Sequence, residues 1–253
     1  MKKLILLPII LMAVTLNAQL KPVAYTEGGQ KLNGFIATPK KPLKQKPGIV
    51  VLPAWLGINE HSKEVAEKLA KDGYYAVVAD IYGEGKYPQN TAEGGQQSGY
   101  YKKNYEAYQK RIQAALEQLV KAGASADNIV VIGYCFGGTG ALEAARGGLK
   151  VKGVVSFHGG VGKDATRANG TISPRVLVLH GADDPYVPQK DVDAFIKEMK
   201  DGNADWQLIY YSGAVHAFTE KEAGNDPSKG AAYNEQADKR SWAAFMQFLK
   251  ELE

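Results

Sequence analysis

The strongest constraint on the fold is a repeated alternation of short, almost wholly apolar segments with longer amphipathic ones. Apolar runs such as GIVVLP (48–53) and YYAVVA (74–79) are typical of strands buried on both faces of a sheet. The longer segments repeat apolar residues at helical spacing, and two of them stop at Gly73 and Gly123. This alternation predicts an α/β protein with a mostly parallel, doubly wound sheet and helices on both faces. The predicted strands are residues 33–38, 48–53, 74–79, 128–132, 151–157, 175–180 and 206–211, and the predicted helices are residues 60–72, 108–120, 139–146, 190–200 and 232–252.

The length and charge of the chain favour a single domain without a nucleic-acid partner. A chain of 253 residues is long enough for one α/β domain around one substantial core, and residues 19–253 are predicted to form that unit. The formal net charge of +4 is small, which argues against binding to nucleic acid. Residues 82–100 are rich in Gly, Gln and Tyr and lack clear periodicity, so they are predicted to form a long loop of the kind that is often functional.

The first 18 residues have the pattern of a signal peptide. Lys2 and Lys3 form a basic start, residues 4–16 are apolar, and Ala18 supplies a small residue at a cleavage point. The apolar run is shorter than the roughly 20 residues that span a bilayer, which favours cleavage over an uncleaved membrane anchor. The sequence therefore predicts export to the periplasm or the medium, with no stable membrane anchor after cleavage.

Cys135, the only cysteine, lies in a turn crowded with glycine. The segment GYCFGG (133–138) follows an apolar strand, opens a predicted helix and fits the pattern Gly-x-nucleophile-x-Gly of a nucleophile elbow. Such a tight turn needs small residues two positions before and after the nucleophile, which explains Gly133 and Gly137. The free N–H groups at the start of the helix favour a thiolate. The alternative is a buried cysteine that packs as a small apolar residue, since one cysteine cannot form an internal disulfide.

An acid and a histidine follow the cysteine in the order that accompanies a nucleophile elbow. Asp183 and Asp184 come directly after the predicted strand 175–180, and His216 lies in the loop after the strand 206–211. His158, at the end of the strand 151–157, either lines the same site or makes a structural hydrogen bond. No spacing resembles a set of zinc ligands, so neither a metal nor another cofactor is predicted.

Together these segments resemble the dienelactone hydrolase family of α/β-hydrolases. The resemblance extends over nearly the whole chain after the signal peptide, and it rests on five motifs: PAWLGINEH, ADIYGEG, GYCFGG, HGADDPYVP and GAVHAF. It implies the α/β-hydrolase fold, with Cys135 as nucleophile, His216 as base and Asp184, the fourth residue of Gly-x-x-Asp, as the acid that orients His216. It also implies that the backbone N–H groups of Trp55 and Phe136 form the oxyanion hole.

The chain departs from the founding members of that family at three positions. Those enzymes have a glutamate, which pairs with the resting thiol, where this chain has Ala54. They also use two arginines to hold a substrate carboxylate, and the matching positions here carry Glu84 and Glu220. The resemblance therefore implies that the catalytic residues are kept and that the recognition of an anionic lactone is lost.

The resulting hypothesis is an exported hydrolase of small carboxylic esters or lactones that works through a thioester on Cys135. One alternative is a binding protein that keeps the fold without turnover, although such a protein does not need all three triad residues. A cysteine peptidase is a third possibility, but papain-like motifs are absent. Glu84, His158 and Glu220 are the candidates for substrate contacts.

Overall fold

The computed structural model describes residues 20–252, so the predicted signal peptide lies outside the described residues. Within that range an eight-stranded sheet is flanked by six α-helices. The strands are β1 (Leu20–Glu27), β2 (Gln30–Ala37), β3 (Gly48–Leu52), β4 (Tyr75–Val78), β5 (Ile129–Tyr134), β6 (Gly153–Phe157), β7 (Arg175–Gly181) and β8 (Trp206–Tyr211). The helices are α1 (Glu60–Lys71), α2 (Thr91–Lys103), α3 (Tyr105–Lys121), α4 (Phe136–Arg146), α5 (Gln189–Asp201) and α6 (Glu235–Glu251).

The sheet has the order β1-β2-β4-β3-β5-β6-β7-β8 and is parallel from β4 to β8. Only the hairpin of β1 and β2 and the pairing of β2 with β4 are antiparallel. The prediction of a mostly parallel α/β sheet is thereby confirmed. The carboxyl ends of the parallel strands meet at one edge of the sheet, where the loops that follow β3, β5, β7 and β8 come together.

The apolar strands bury both of their faces. In β3, Val50 and Leu52 pack into a core with α3, α4 and α5, whereas Ile49 and Val51 pack into a second core with α1 and α6. All four side chains are inaccessible to solvent, and burying each of them stabilises the fold by about 1.5–3 kcal/mol. Because successive residues of a strand face opposite sides, a strand between two helical layers reads as a continuous apolar run.

The structure corrects the sequence prediction at two places. Residues 20–27 form the edge strand β1, which the periodicity did not reveal because its side chains are mostly exposed and it contains Pro22. Part of the segment 82–100, predicted as a loop, belongs to helix α2. Asn90 caps this helix by accepting a hydrogen bond from the N–H of Glu93. Between residues 20 and 252, no helix is both long and apolar enough to cross a bilayer.

Candidate active site

The turn between β5 and α4 holds Cys135 in a strained backbone conformation. Cys135 has φ 55° and ψ −115°, a region that costs a non-glycine residue about 1–3 kcal/mol. The glycines around it are required by space, because a Cβ on Gly133 would lie 2.0 Å from the carbonyl oxygen of Gly137. A Cβ on Gly137 would likewise lie 2.2 Å from the carbonyl oxygen of Leu52. The turn therefore has the close packing of a nucleophile elbow, with Cys135 at the N-cap of α4.

The loops after β7 and β8 bring an acid and a histidine to the thiol. Nε2 of His216 lies 3.1 Å from Sγ of Cys135, and Nδ1 lies 2.8 Å from Oδ2 of Asp184. The three residues are far apart in the chain and meet because the carboxyl ends of β5, β7 and β8 lie at the same edge of the sheet. The arrangement is a continuous hydrogen-bonded relay from carboxylate to imidazole to thiol.

Asp184 is fixed as an acceptor and is shielded from solvent. Its Oδ1 accepts the N–H of Tyr186 at 2.8 Å, and its side chain has no exposed surface. Asp183 is exposed and accepts the N–H of Gly213 at 3.1 Å, so it lies outside the relay. The structure thus brings Asp184 rather than Asp183 to His216.

His216 is a strong base in this setting. Burial alone would lower its pKa, but the hydrogen bonds to Asp184 and Cys135 outweigh burial and raise that pKa to about 10. The imidazole is thereby protonated at neutral pH, and the positive ring contacts the sulfur. An imidazolium beside the sulfur stabilises a thiolate, which is the nucleophilic form of cysteine.

His158 holds the turn in place through a hydrogen bond to its backbone. It is fully buried, its Nδ1 accepts the N–H of Cys135 at 3.2 Å, and its Nε2 lies 2.8 Å from Oγ1 of Thr219. Burial and the neighbouring His216 lower its pKa well below the ordinary value, so the ring is neutral. An accepting Nδ1 places the proton on Nε2, which donates to Thr219. His158 holds the backbone of Cys135 and does not line the cavity above it.

A cavity of about 650 Å³ opens above the thiol. Cys135 and His216 line it together with Trp55 and Phe136, the residues expected to supply the oxyanion hole. Phe136 is the first residue of α4, where a backbone N–H has no acceptor within the helix. The wall beside these groups is apolar, with Ala54, Leu56, Val187, Ala217, Ala223 and Ala231. A cavity of this size and polarity suits a small organic substrate.

The two glutamates that were expected at the positions of the family's arginines differ in where they lie. Glu220 is largely buried and lines the cavity, and burial raises the pKa of its carboxyl to about 7. Its Oε1 is buried without a hydrogen-bond partner in the described part of the chain. Glu84 is exposed, accepts a hydrogen bond from Asn33, and is not part of the cavity wall. The structure therefore brings Glu220, and not Glu84, to the site.

Several residues of the site were not singled out from the sequence. Ser98 and Lys102 reach the cavity from α2, the helix that was taken for a loop. The motif Asn-x-x-Glu at 90–93 was the signal that could have revealed this helix. Tyr186 packs its ring edge-on against His216 at 5.4 Å, and nothing in its sequence context distinguishes it from other exposed tyrosines.

Comparisons with known proteins show which family and which solved structures the chain is similar to. The model of the dienelactone hydrolase family matches residues 32–253. A putative carboxymethylenebutenolidase of Saccharolobus solfataricus is 27% identical, and the alignment covers 91% of this chain and 98% of that protein. A probable 2-oxo-3-(5-oxofuran-2-ylidene)propanoate lactonase of Bradyrhizobium is 32% identical, over 69% of this chain and 74% of the relative. The crystal structure of a dienelactone hydrolase-like promiscuous phosphotriesterase from metagenomic libraries superposes with a TM-score of 0.85 at 35% identity, covering 92% of this chain and 98% of that one.

Proposed function

Because the chain belongs to the dienelactone hydrolase family of α/β-hydrolases, we propose that it cleaves carboxylic esters or lactones through a triad of Cys135, His216 and Asp184. The observation that carries the proposal is the relay of 3.1 Å from sulfur to imidazole and 2.8 Å from imidazole to carboxylate, at a strained turn. Family membership makes the protein a dienelactone hydrolase-like enzyme and favours turnover over a role in binding alone. The triad, the thioester and the substrate class are the finer points of the proposal.

In the acylation step, the thiolate of Cys135 attacks the carbonyl carbon of the substrate. The carbonyl π electrons move to oxygen, and the N–H groups of Trp55 and Phe136 stabilise the oxyanion as its charge develops. The intermediate then collapses, the carbon–oxygen single bond breaks, and His216 gives its proton to the leaving alkoxide. The products of this step are an alcohol, or the open-chain hydroxyl of a lactone, and a thioester on Cys135.

In the deacylation step, His216 is neutral and accepts a proton from a water molecule that attacks the thioester. A second tetrahedral intermediate forms at the same oxyanion site, and its collapse expels the thiolate of Cys135. The acid product leaves, and the protonated His216 again faces a thiolate. Asp184 keeps Nδ1 of His216 protonated throughout, so Nε2 is the nitrogen that exchanges protons.

The charge of Glu220 is expected to affect which esters bind in the cavity. A carboxylate at this position repels a substrate carboxylate, whereas the family's arginine attracts one. We therefore propose that the substrates are neutral or cationic in the part that faces Glu220. The relative that is named a promiscuous phosphotriesterase adds neutral phosphotriesters as a second class to test, since such triesters also carry no charge.

Export completes the proposal. It is supported by the basic start, the apolar run 4–16 and Ala18, with strand β1 beginning at Leu20. Expression with the native leader in a Gram-negative host, followed by intact-mass analysis of the periplasmic fraction, tests it. Cleavage after Ala18 is the expected result, and an uncleaved protein in the membrane fraction would contradict it.

The triad is tested by trapping the acyl-enzyme. We expect a slow activated ester to leave its acyl group on the peptide that contains Cys135, seen by mass spectrometry after rapid acid quench. Cys135→Ala should abolish both the adduct and turnover. An adduct on another residue, together with a fully active Cys135→Ala variant, would show that the proposal is wrong.

A further inference from the structure

A stack of three aromatic rings lies beneath the expected oxyanion hole. Phe136 is its central member, with the ring of Tyr108 at 4.6 Å and an interplanar angle of 12° on one side. The ring of Tyr82 is also stacked on Phe136, at 5.9 Å with an interplanar angle of 14°. All three side chains are buried, with Tyr82 only 3% exposed. The stack fixes the positions of both tyrosine hydroxyls relative to the turn that carries Cys135.

Each hydroxyl donates to the carbonyl of one of the two residues expected to form the oxyanion hole. Tyr82 donates to the carbonyl oxygen of Trp55 at 2.6 Å, and Tyr108 donates to that of Phe136 at 3.1 Å. The stack therefore connects the loop after β3 to the turn after β5. These two segments must keep a fixed separation if two N–H groups are to hold one oxyanion.

The two residues differ in how their backbones are otherwise held. Phe136 lies in the first turn of α4, where carbonyls already accept N–H groups from the next turn. Trp55 lies in a turn outside helix and strand, closed by the hydrogen bond from the N–H of Gly57 to the carbonyl of Ala54. The side chain of Trp55 packs against the core, and the hydrogen bond from Tyr82 anchors its backbone carbonyl.

We infer that Tyr82 is a positioning residue, which aims the N–H of Trp55 at the oxyanion through its hydrogen bond to the Trp55 carbonyl. The N–H and the carbonyl of one residue are joined through its Cα, so anchoring the carbonyl restricts the direction of the N–H. This inference rests on the proposed function, because an oxyanion forms only during acyl transfer. It assigns a role in the reaction to a residue that lies outside the cavity wall and outside the thiol-imidazole pair.

The test compares two reactions of the same thiol. Acylation by an activated ester passes through an oxyanion, whereas alkylation of Cys135 by iodoacetamide is a displacement at carbon and forms none. Tyr82→Phe removes one oxygen atom and keeps the stack. We expect it to slow single-turnover acylation, and with it kcat, by about tenfold, less than the roughly 10²–10³-fold loss for removing a whole donor. KM for the ester and the alkylation rate should stay within about twofold of the wild type, since neither depends on the oxyanion.

Tyr101→Phe is the matched control. Tyr101 is also buried and packs its ring 5.9 Å from Tyr82, but its hydroxyl accepts a hydrogen bond from Arg111, which is not part of the cavity wall. It should acylate at the wild-type rate, which would separate the Tyr82 effect from a general loss of packing. Thermal unfolding of both variants reports whether they fold.

Four outcomes would overturn the inference. Unchanged acylation in Tyr82→Phe would show that the hydroxyl does not aim the donor. An equal loss of acylation and alkylation would show a merely structural role, and so would equal acylation losses in Tyr82→Phe and Tyr101→Phe. A wild-type protein whose Cys135 is alkylated but never acylated would overturn the proposed function first, and the inference with it.

Discussion

Replacing Asp184 by Asn is expected to lower kcat/KM by about 10²- to 10³-fold, because the carboxylate both orients and charges His216. Its oxygen lies 2.8 Å from Nδ1, and its side chain has no exposed surface. The pKa of His216 is about 10 instead of the ordinary 6.5, a difference worth about 5 kcal/mol in favour of the protonated ring. Burial opposes this charge, and the hydrogen bond to Asp184 is the largest contribution that overcomes it, ahead of the bond to Cys135.

If Asp184 supplies about 3–4 kcal/mol of that preference and the whole loss appears in the activation barrier, the rate falls by about 10²- to 10³-fold. A loss of about 10⁴ for the equivalent change in a serine-protease triad sets the upper end. An Asn side chain can also donate to Nδ1, which would place the imidazole proton on Nε2 and block the base.

The assay is release of 4-nitrophenol from a neutral ester at pH 7.5, with kcat/KM compared between variants. Asp183→Asn is the matched control, since it removes the same charge from the adjacent residue, which is exposed and accepts a hydrogen bond from the N–H of Gly213. We expect this control to stay within about threefold of the wild type. The pKa of His216, followed by NMR of its ring, should fall in Asp184→Asn and not in Asp183→Asn. Equal losses in the two variants, or a greater loss in Asp183→Asn, would refute the assignment.

Three further predictions concern the thiol, the buried glutamate and the glycine turn. Alkylation of Cys135 by iodoacetamide at pH 7 should be about tenfold faster in the wild type than in His216→Gln, because the variant lacks the imidazolium beside the sulfur. Equal rates in the two proteins would contradict this. Because burial raises the pKa of Glu220 to about 7, its carboxyl is neutral below that pH and charged above it. The preference for a neutral ester over its carboxylate analogue should therefore increase as the pH rises through 7 and stay flat in Glu220→Gln, and a flat wild-type profile would exclude Glu220 from substrate contact. Gly133→Ala should lower Tm by about 10 °C, because its Cβ would meet a carbonyl oxygen at 2.0 Å. Gly95→Ala, which adds a Cβ in open space within α2, should instead raise Tm by about 3 °C. Equal changes of Tm in the two variants would contradict the packing argument.

The meeting of Cys135, Asp184 and His216 could be predicted because their positions follow from the order of strands and loops. Cys135 sits in a turn that requires glycine at positions 133 and 137, because a Cβ at either position would lie 2.0–2.2 Å from a carbonyl oxygen. A steric requirement of this kind leaves a recognisable local sequence pattern. Asp184 follows β7, which has the continuous apolar run VLVL, and His216 follows β8, which is apolar or aromatic except at Gln207. The parallel topology then brings the three residues together without further information.

The walls of the site were harder to predict because they depend on weakly patterned segments. Helix α2 contains Gly94, Gly95 and Gly99, so its propensity is low and its apolar periodicity weak. Gly94 is explained only by tertiary packing, since a Cβ there would meet Leu56 at 2.7 Å. The different orientations of Glu84 and Glu220 likewise follow from contacts that an alignment of motifs does not contain.

Under the proposed mechanism, the parallel strand order also determines when during folding the thiol becomes reactive. Cys135 follows β5, in the middle of the sheet, but its base follows β8, at the opposite end of the pairing order from β1. Parallel pairings between distant segments form slowly, because the chain between them must first be ordered. A chain that ends before Trp206 contains the nucleophile without His216, so its sulfur lacks the imidazolium that activates it. The activation of the thiol therefore waits for the last strand to join the sheet. The single cysteine becomes nucleophilic only after the protein around it has folded.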